Sequence, residues 1–142
     1  MNYINYESDF YGWTKQQANL LKNRKITEID WDNLAEEIED MGRSEKRQLE
    51  SRLEVLIMHL LKWQFQPNKR SRSWQLTIKE QRLRLEKLLQ ENHSLKSNLF
   101  DVQAKIYPLA VISAEKETGL ASFPETCPYE LIDVLAADFL PE

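Results

Sequence analysis

Apolar residues recur along this chain at spacings of three and four, the period of amphipathic helices rather than of strands. Phe10, Trp13, Leu20 and Leu21 predict a first helix from about Ser8 to Asn23, with Ser8 as its N-cap. Asp30 reads as the next N-cap. Trp31, Leu34, Ala35, Ile38 and Met41 then share one inward face, and Gly42 ends or bends that helix. Ser44 opens a third helix reaching about Phe65. Its stripe is Leu49, Leu53, Leu56, Ile57 and Leu60, while Val55, Met58, Leu61 and Phe65 occupy the other sides. A helix apolar all round is a central one. At 1.5 Å per residue it is about 33 Å long, roughly the width of a small domain.

Pro67 stops that helix, and NKRSRS follows as a loop. Ser73 is placed to cap a fourth helix from Trp74 to about Gln90, with Ile78, Leu85, Leu88 and Leu89 inward. After a turn at Asn92–Ser94, a fifth helix carries Leu95, Leu99, Val102 and Ile106. Pro108 should kink it, because proline lacks an N–H and crowds the preceding turn. Gly119 ends it. The tail offers Thr126 as a cap and a short helix with Leu131 and Leu135. The expected fold is all-α: a single-domain bundle, residues 1–142, of about five to six helices, with a long central helix and a kinked C-terminal one.

Composition agrees with this pattern. The 142 residues are 42% hydrophobic and 30% charged, with three Gly and five Pro, so turn punctuation is sparse. The longest apolar run, VLIMHLL, is interrupted by His59, so no membrane span is expected. The opening MNYINYESDF lacks the basic and apolar regions of a secretory signal, and the single cysteine, Cys127, fits a reducing compartment. Both point to the cytoplasm.

Charge is unevenly placed. Residues 1–40 carry 4 basic and 9 acidic groups, residues 41–91 carry 12 and 6, and residues 92–142 carry 3 and 8. The basic middle contains HLLKWQFQPNKRSRSW, where Lys62, Lys69, Arg70 and Arg72 interleave with Trp63, Phe65 and Trp74. Bases and aromatics together neutralise phosphates and stack on bases, so Lys62, Lys69, Arg70, Arg72, Lys79 and Trp74 form a candidate binding set. Local pairing makes a competing case. Lys46–Glu50, Glu80–Arg84, Arg82–Glu86 and Lys87–Glu91 are opposite charges four apart. The bases without such neighbours cluster at the hinge. Asp32, Glu36, Glu39 and Asp40 lie on the side of the second helix opposite its inward face. Pairing of hinge and acidic helix would satisfy both.

A buried polar network is the second candidate. Gln81 falls on the apolar face of the fourth helix, and Glu37 at the edge of the inner face of the second. With His59 and Arg72 they could line a polar cleft. Helical-bundle metal sites need a Glu three residues before a His, and His59 has none, so neither metal nor cofactor is expected. Cys127 could gain acidity beside a helix N-terminus, or sit buried and inert. Gly-rich phosphate loops and nucleophile elbows are absent.

The segments YESDFYGWTKQQANLL, LAEEIEDMGRSEKRQLESRL, HLLKWQFQP, RSRSWQLTIKEQR and FPETCPYEL resemble, in this order, the bacterial domain of unknown function 29 family, frequent in cyanobacteria. The likeness covers nearly the whole chain. It implies an all-helical fold and a small free-standing cytoplasmic protein. It implies no established activity, substrate or cofactor, so no catalytic residue is carried over. Pro108 departs from the uninterrupted helix the resemblance implies.

Three functions follow as expectations. The first is a non-enzymatic interaction protein, binding a protein partner or forming a homo-oligomer. The second is a nucleic-acid binder using the basic hinge, residues 62–79. The third is an enzyme with Glu37, His59 and Arg72 converging in a cleft.

Overall fold

A computed structural model describes residues 2–142, and among them every regular element is helical. Helix α1 is Phe10–Lys22, α2 is Trp31–Phe65, α3 is Arg72–Glu91, α4 is Leu99–Thr118 and α5 is Leu131–Leu135. Short 3-10 turns occupy Pro67–Lys69 and His93–Asn98. None of these helices is long and apolar enough to cross a membrane. The chain divides into two compact units, Met1–Ser44 and Glu45–Glu142.

The first unit is built around one aspartate. Asp9, not Ser8, caps α1: its carboxylate accepts the Gly12 N–H at 3.0 Å. Trp13 is buried, and its indole N–H donates to Asp30 at 3.0 Å. The Asn33 amide donates to the same carboxylate oxygen at 2.9 Å. The Asp30 N–H in turn donates to the buried Gln17 side chain at 2.8 Å. These bonds, that of Asn33 first, hold the Asp30 carboxyl below its usual range against the opposing effect of burial. Tyr6 and Phe10 pack on Trp13 with ring centroids 4.8 and 5.8 Å away. The expected inward face of the second helix is a different matter. Trp31, Ala35, Ile38 and Met41 are exposed, and Leu34 is half-buried.

Two helices read separately are one. α2 passes through Gly42 without a break and spans 35 residues. Gly42 has no neighbour a side chain would meet and no left-handed backbone, so nothing there requires a helix end.

In the second unit the later part of α2 is the central element. Leu49, Leu53, Leu56, Ile57, Leu60 and Leu61 are all fully buried. Ile78, Leu85, Leu88 and Leu89 of α3 pack into the same core, as do Leu99, Val102, Ile106, Tyr107, Ala110 and Ala114 of α4. Each such leucine contributes about 1.5–3 kcal/mol of burial. Ser71, not Ser73, caps α3, its hydroxyl accepting the Trp74 N–H at 3.2 Å. That moves the helix start two residues earlier and puts Arg72 in the first turn. Pro108 lies inside α4 without ending it, and Gly119 closes that helix in the left-handed region at φ 74°. Thr126 caps nothing; Glu130 occupies the N-cap of α5.

Candidate functional site

Two bases of the hinge, Lys62 and Arg70, are engaged within their own unit. Lys62 is buried, with its ammonium 2.6 Å from Glu117 and 4.7 Å from the Trp74 ring centroid. Arg70 lies over Trp63, 5.0 Å from the ring centroid. Its guanidinium donates to the Trp63 carbonyl at 2.8 Å and to the Glu142 carbonyl at 3.0 Å. The expected pairing of Arg70 with the acidic side of α2 is therefore replaced by two backbone carbonyls. On that acidic side, Asp40 and Glu39 are taken by Arg43. The tryptophans expected to stack bases carry cations from the chain itself. Lys69, Arg72 and Lys79 are exposed and form no ion pair among the described residues.

The residues of the expected buried network have separate surroundings within each unit. Glu37 is half-buried and accepts a short hydrogen bond from the Tyr6 hydroxyl. Bonding to that carboxylate pushes the Tyr6 pKa up to about 12. In the second unit Gln81 is buried as expected, and its carbonyl accepts from Arg52 at 3.4 Å. The His59 Nδ1–H donates to the Val55 carbonyl one turn earlier, at 2.8 Å, which fixes the neutral tautomer. Arg72 stands exposed at the start of α3. No hydrogen bond joins His59, Gln81 and Arg72 among the described residues. Glu37, Gln81 and His59 each engage a separate partner, and the Arg72 side chain engages none among the described residues.

Burial lowers the His59 pKa below its ordinary 6.5; the Val55 bond opposes this, Lys62 reinforces it and Glu117 opposes it. An unfolded chain therefore binds a proton at His59 before the folded one does. Stability from this group is complete above pH 6.5 and is lost as pH falls through the folded value. Urea titrations at about pH 7.5 and about pH 5.5 should show a smaller loss for His59→Gln than for the wild type. Equal losses in the two proteins would remove the prediction.

Two local pairs form as expected, Arg84–Glu80 at 3.1 Å and Lys87–Glu91 at 4.0 Å. Two do not. Glu50 turns to Lys105, at 3.0 Å, instead of Lys46. Arg82 turns inward instead of toward Glu86. It is buried and donates to the carbonyls of Val134 at 2.9 Å and Asp133 at 3.3 Å. Its place between Ile78, Leu85 and Leu89 on the helix wheel was the available signal.

Two grooves flank these residues. One of about 340 Å³ runs beside α3, with Ile78, Lys79, Arg82, Leu83, Leu135 and Leu140 among its walls. A larger one of about 660 Å³ lies between α4 and the segment 125–132. Gln103 lines it, buried, donating to the Tyr129 carbonyl at 3.0 Å while its own carbonyl oxygen has no protein partner. Cys127 lines it too. The α5 helix begins at Leu131, so Cys127 gains no helix dipole, and burial pushes its thiol pKa up. No cluster of His, Cys, Asp or Glu is placed to hold a metal ion among the described residues.

With this geometry established, comparison with known proteins adds one result. The model of the family described as domain of unknown function DUF29 matches residues 5–140. The chain belongs to that family. No curated protein and no solved structure matches it. The DUF29 match thus covers α1 to α5 entirely, including the exposed face of α2 and the groove beside α3.

Proposed function

We propose that this DUF29 protein is a non-enzymatic interaction protein that docks through the exposed face of the first part of α2. One observation carries the reading. Trp31, Ile38 and Met41 are 56, 59 and 63% exposed, although they share one helix face. Large apolar side chains grouped on a surface mark interaction sites, whereas single ones do not. Trp31 is also held in place: its indole N–H donates to the Ile26 carbonyl at 3.1 Å, and Ile26 beside it is exposed. A large anchor fixed before binding loses little entropy on docking.

The nucleic-acid reading has less support. Lys62 and Arg70 cover the two tryptophans that would stack bases. The enzyme reading fares no better, because Tyr6 engages Glu37 and a backbone carbonyl engages His59. A half-buried free thiol suits the cytoplasm, and the family likeness suits a bacterial, cyanobacterial host.

Photo-crosslinking tests the docking face. A photoreactive residue at Ile38 or Met41, expressed in the native host, should give discrete protein adducts. The same residue at Lys87, exposed on α3, should give none at comparable yield. Identical adduct patterns from all three positions would refute the proposal. Ile38→Ser and Met41→Ser should alter stability by no more than about 0.5 kcal/mol, since neither side chain is buried.

A further inference from the structure

We infer that the groove between α4 and the segment 125–132 is a binding site for a small organic amine, a primary ammonium carried on an apolar stem. The site lies wholly in the second unit, and it stands or falls independently of the docking face on the first part of α2. Its volume of about 660 Å³ is that of a pocket for a small molecule. Hydrogen bonds build its walls. The Tyr107 hydroxyl donates to the Pro124 carbonyl at 2.7 Å, the Gln103 amide to the Tyr129 carbonyl, and the Tyr129 hydroxyl to the Gln64 side chain at 2.8 Å. These bonds tie a stretch without regular secondary structure to α4 and α2, so the groove is formed before anything binds.

The polar groups left over select the occupant. Gln103 is 6% exposed, and its amide nitrogen is engaged twice, by the Tyr129 carbonyl at 3.0 Å and by the Cys127 sulfur at 3.4 Å. Turning the amide over would set its carbonyl oxygen against that of Tyr129, so the orientation is fixed by the network. Gln103 Oε1 is thereby left buried with no donor. A buried acceptor without a donor is costly and rare. Cys127 and Tyr129 both line the groove, which puts the Gln103 amide at its wall. Glu125 and Glu130 line it as well; both are exposed, and neither forms an ion pair among the described residues. No lysine, arginine or histidine is among the lining residues.

An acceptor in need of a donor, beside two unpaired carboxylates, fits a cation that carries N–H groups. A primary ammonium has three N–H donors, and its charge is attracted to both carboxylates. An anion would be repelled by them, and a quaternary ammonium would leave Gln103 without its donor. The surroundings have the same sign, since residues 92–142 carry 3 basic and 8 acidic groups. The rest of the groove selects the stem. Phe100 and Ile132 line it at 75 and 78% exposure, with Pro108 on the same wall as Phe100. An apolar stem laid on them removes that surface from water.

Titration of the isotope-labelled full-length protein with phenethylamine and with butylamine, followed by NMR, tests the inference. Both amines should shift the Gln103 side-chain amide and the backbone signals of Cys127 and Tyr129, phenethylamine at the lower concentration. Trimethylated phenethylamine keeps the charge and the stem but has no N–H, and should bind about tenfold more weakly or worse. Phenylpropionate, with the ring and the opposite charge, should leave these signals in place. Glu125→Gln/Glu130→Gln should weaken phenethylamine binding by about tenfold or more and leave the thermal melt unchanged, because both positions are exposed. Added salt should weaken it too. No shift at Gln103 with either amine at millimolar concentration, equal binding of phenylpropionate, or indifference to the double substitution would each overturn the inference. Equal binding of the trimethylated amine would overturn it as well, because Gln103 would then select nothing.

Discussion

Arg82→Ala should cost the fold about 3 kcal/mol in urea unfolding, several times the effect of removing an exposed arginine. The side chain is buried and holds two carbonyls, those of Val134 and Asp133, at the end of α5. Helices leave their last carbonyls unsatisfied, and a five-residue helix has almost nothing but ends. Alanine would leave those two acceptors without Arg82 and open a cavity among Ile78, Leu135 and Leu140 beside the groove. Burial disfavours the charged guanidinium and lowers its pKa, while the Asp138 carboxylate opposes that shift. Arginine is nonetheless the residue that stays charged there, and its planar fork spans two acceptors at once. Arg82→Lys should therefore recover less than half of the loss, because an ammonium on a flexible stem cannot reproduce the fork. Full recovery by lysine would show that charge alone is at work. Arg84→Ala is the control: that arginine is exposed, pairs only with Glu80, and should change stability by about 0.5 kcal/mol or less.

The contrast between Arg82 and Arg84 also shows what periodicity can and cannot convey. The helices themselves were readable, because apolar spacing and turn residues act locally. The core of the second unit, from Leu49 to Leu61 and from Ile78 to Leu89, follows that spacing residue by residue. Pro67 stops α2 and Gly119 ends α4 where the chain's local chemistry requires. Partner choice was not readable. Arg82–Glu86 is as good a pair on a helical wheel as Glu80–Arg84, yet only tertiary packing decides which arginine faces carbonyls from residues 133 and 134. Glu37 was placed correctly at the edge of its helix face, but the partner proved to be Tyr6, 31 positions earlier. The largest misreading was the face of Trp31, Ile38 and Met41. Helical spacing identifies a shared face and says nothing of what covers it. Read as core, those residues concealed the one surface that now carries the functional proposal.

Gly42 gives the sharpest test of that surface, through two substitutions of opposite sign. Gly42→Ala should stabilise the protein by about 1 kcal/mol. Its added Cβ meets nothing within 4 Å, and the backbone is not left-handed. The gain comes from helix propensity and from the smaller freedom of the unfolded chain. Gly42→Pro should cost about 3 kcal/mol or more. The ring removes the bond from this N–H to the Ile38 carbonyl and crowds the turn before it, in the middle of a 35-residue helix. If instead a helix ended at Gly42, as its sequence position suggests, alanine would be unfavourable and proline tolerated. Urea unfolding followed by helical circular dichroism separates these cases by sign alone. The same pair reaches the functional proposal. Ile38 and Met41 lie in the turn that proline would distort, so Gly42→Pro should also change the adducts captured from Ile38 under conditions where the protein remains folded. Gly42→Ala should leave them unchanged. A proline variant with unchanged adducts would mean that the stripe does not need a continuous helix to present it.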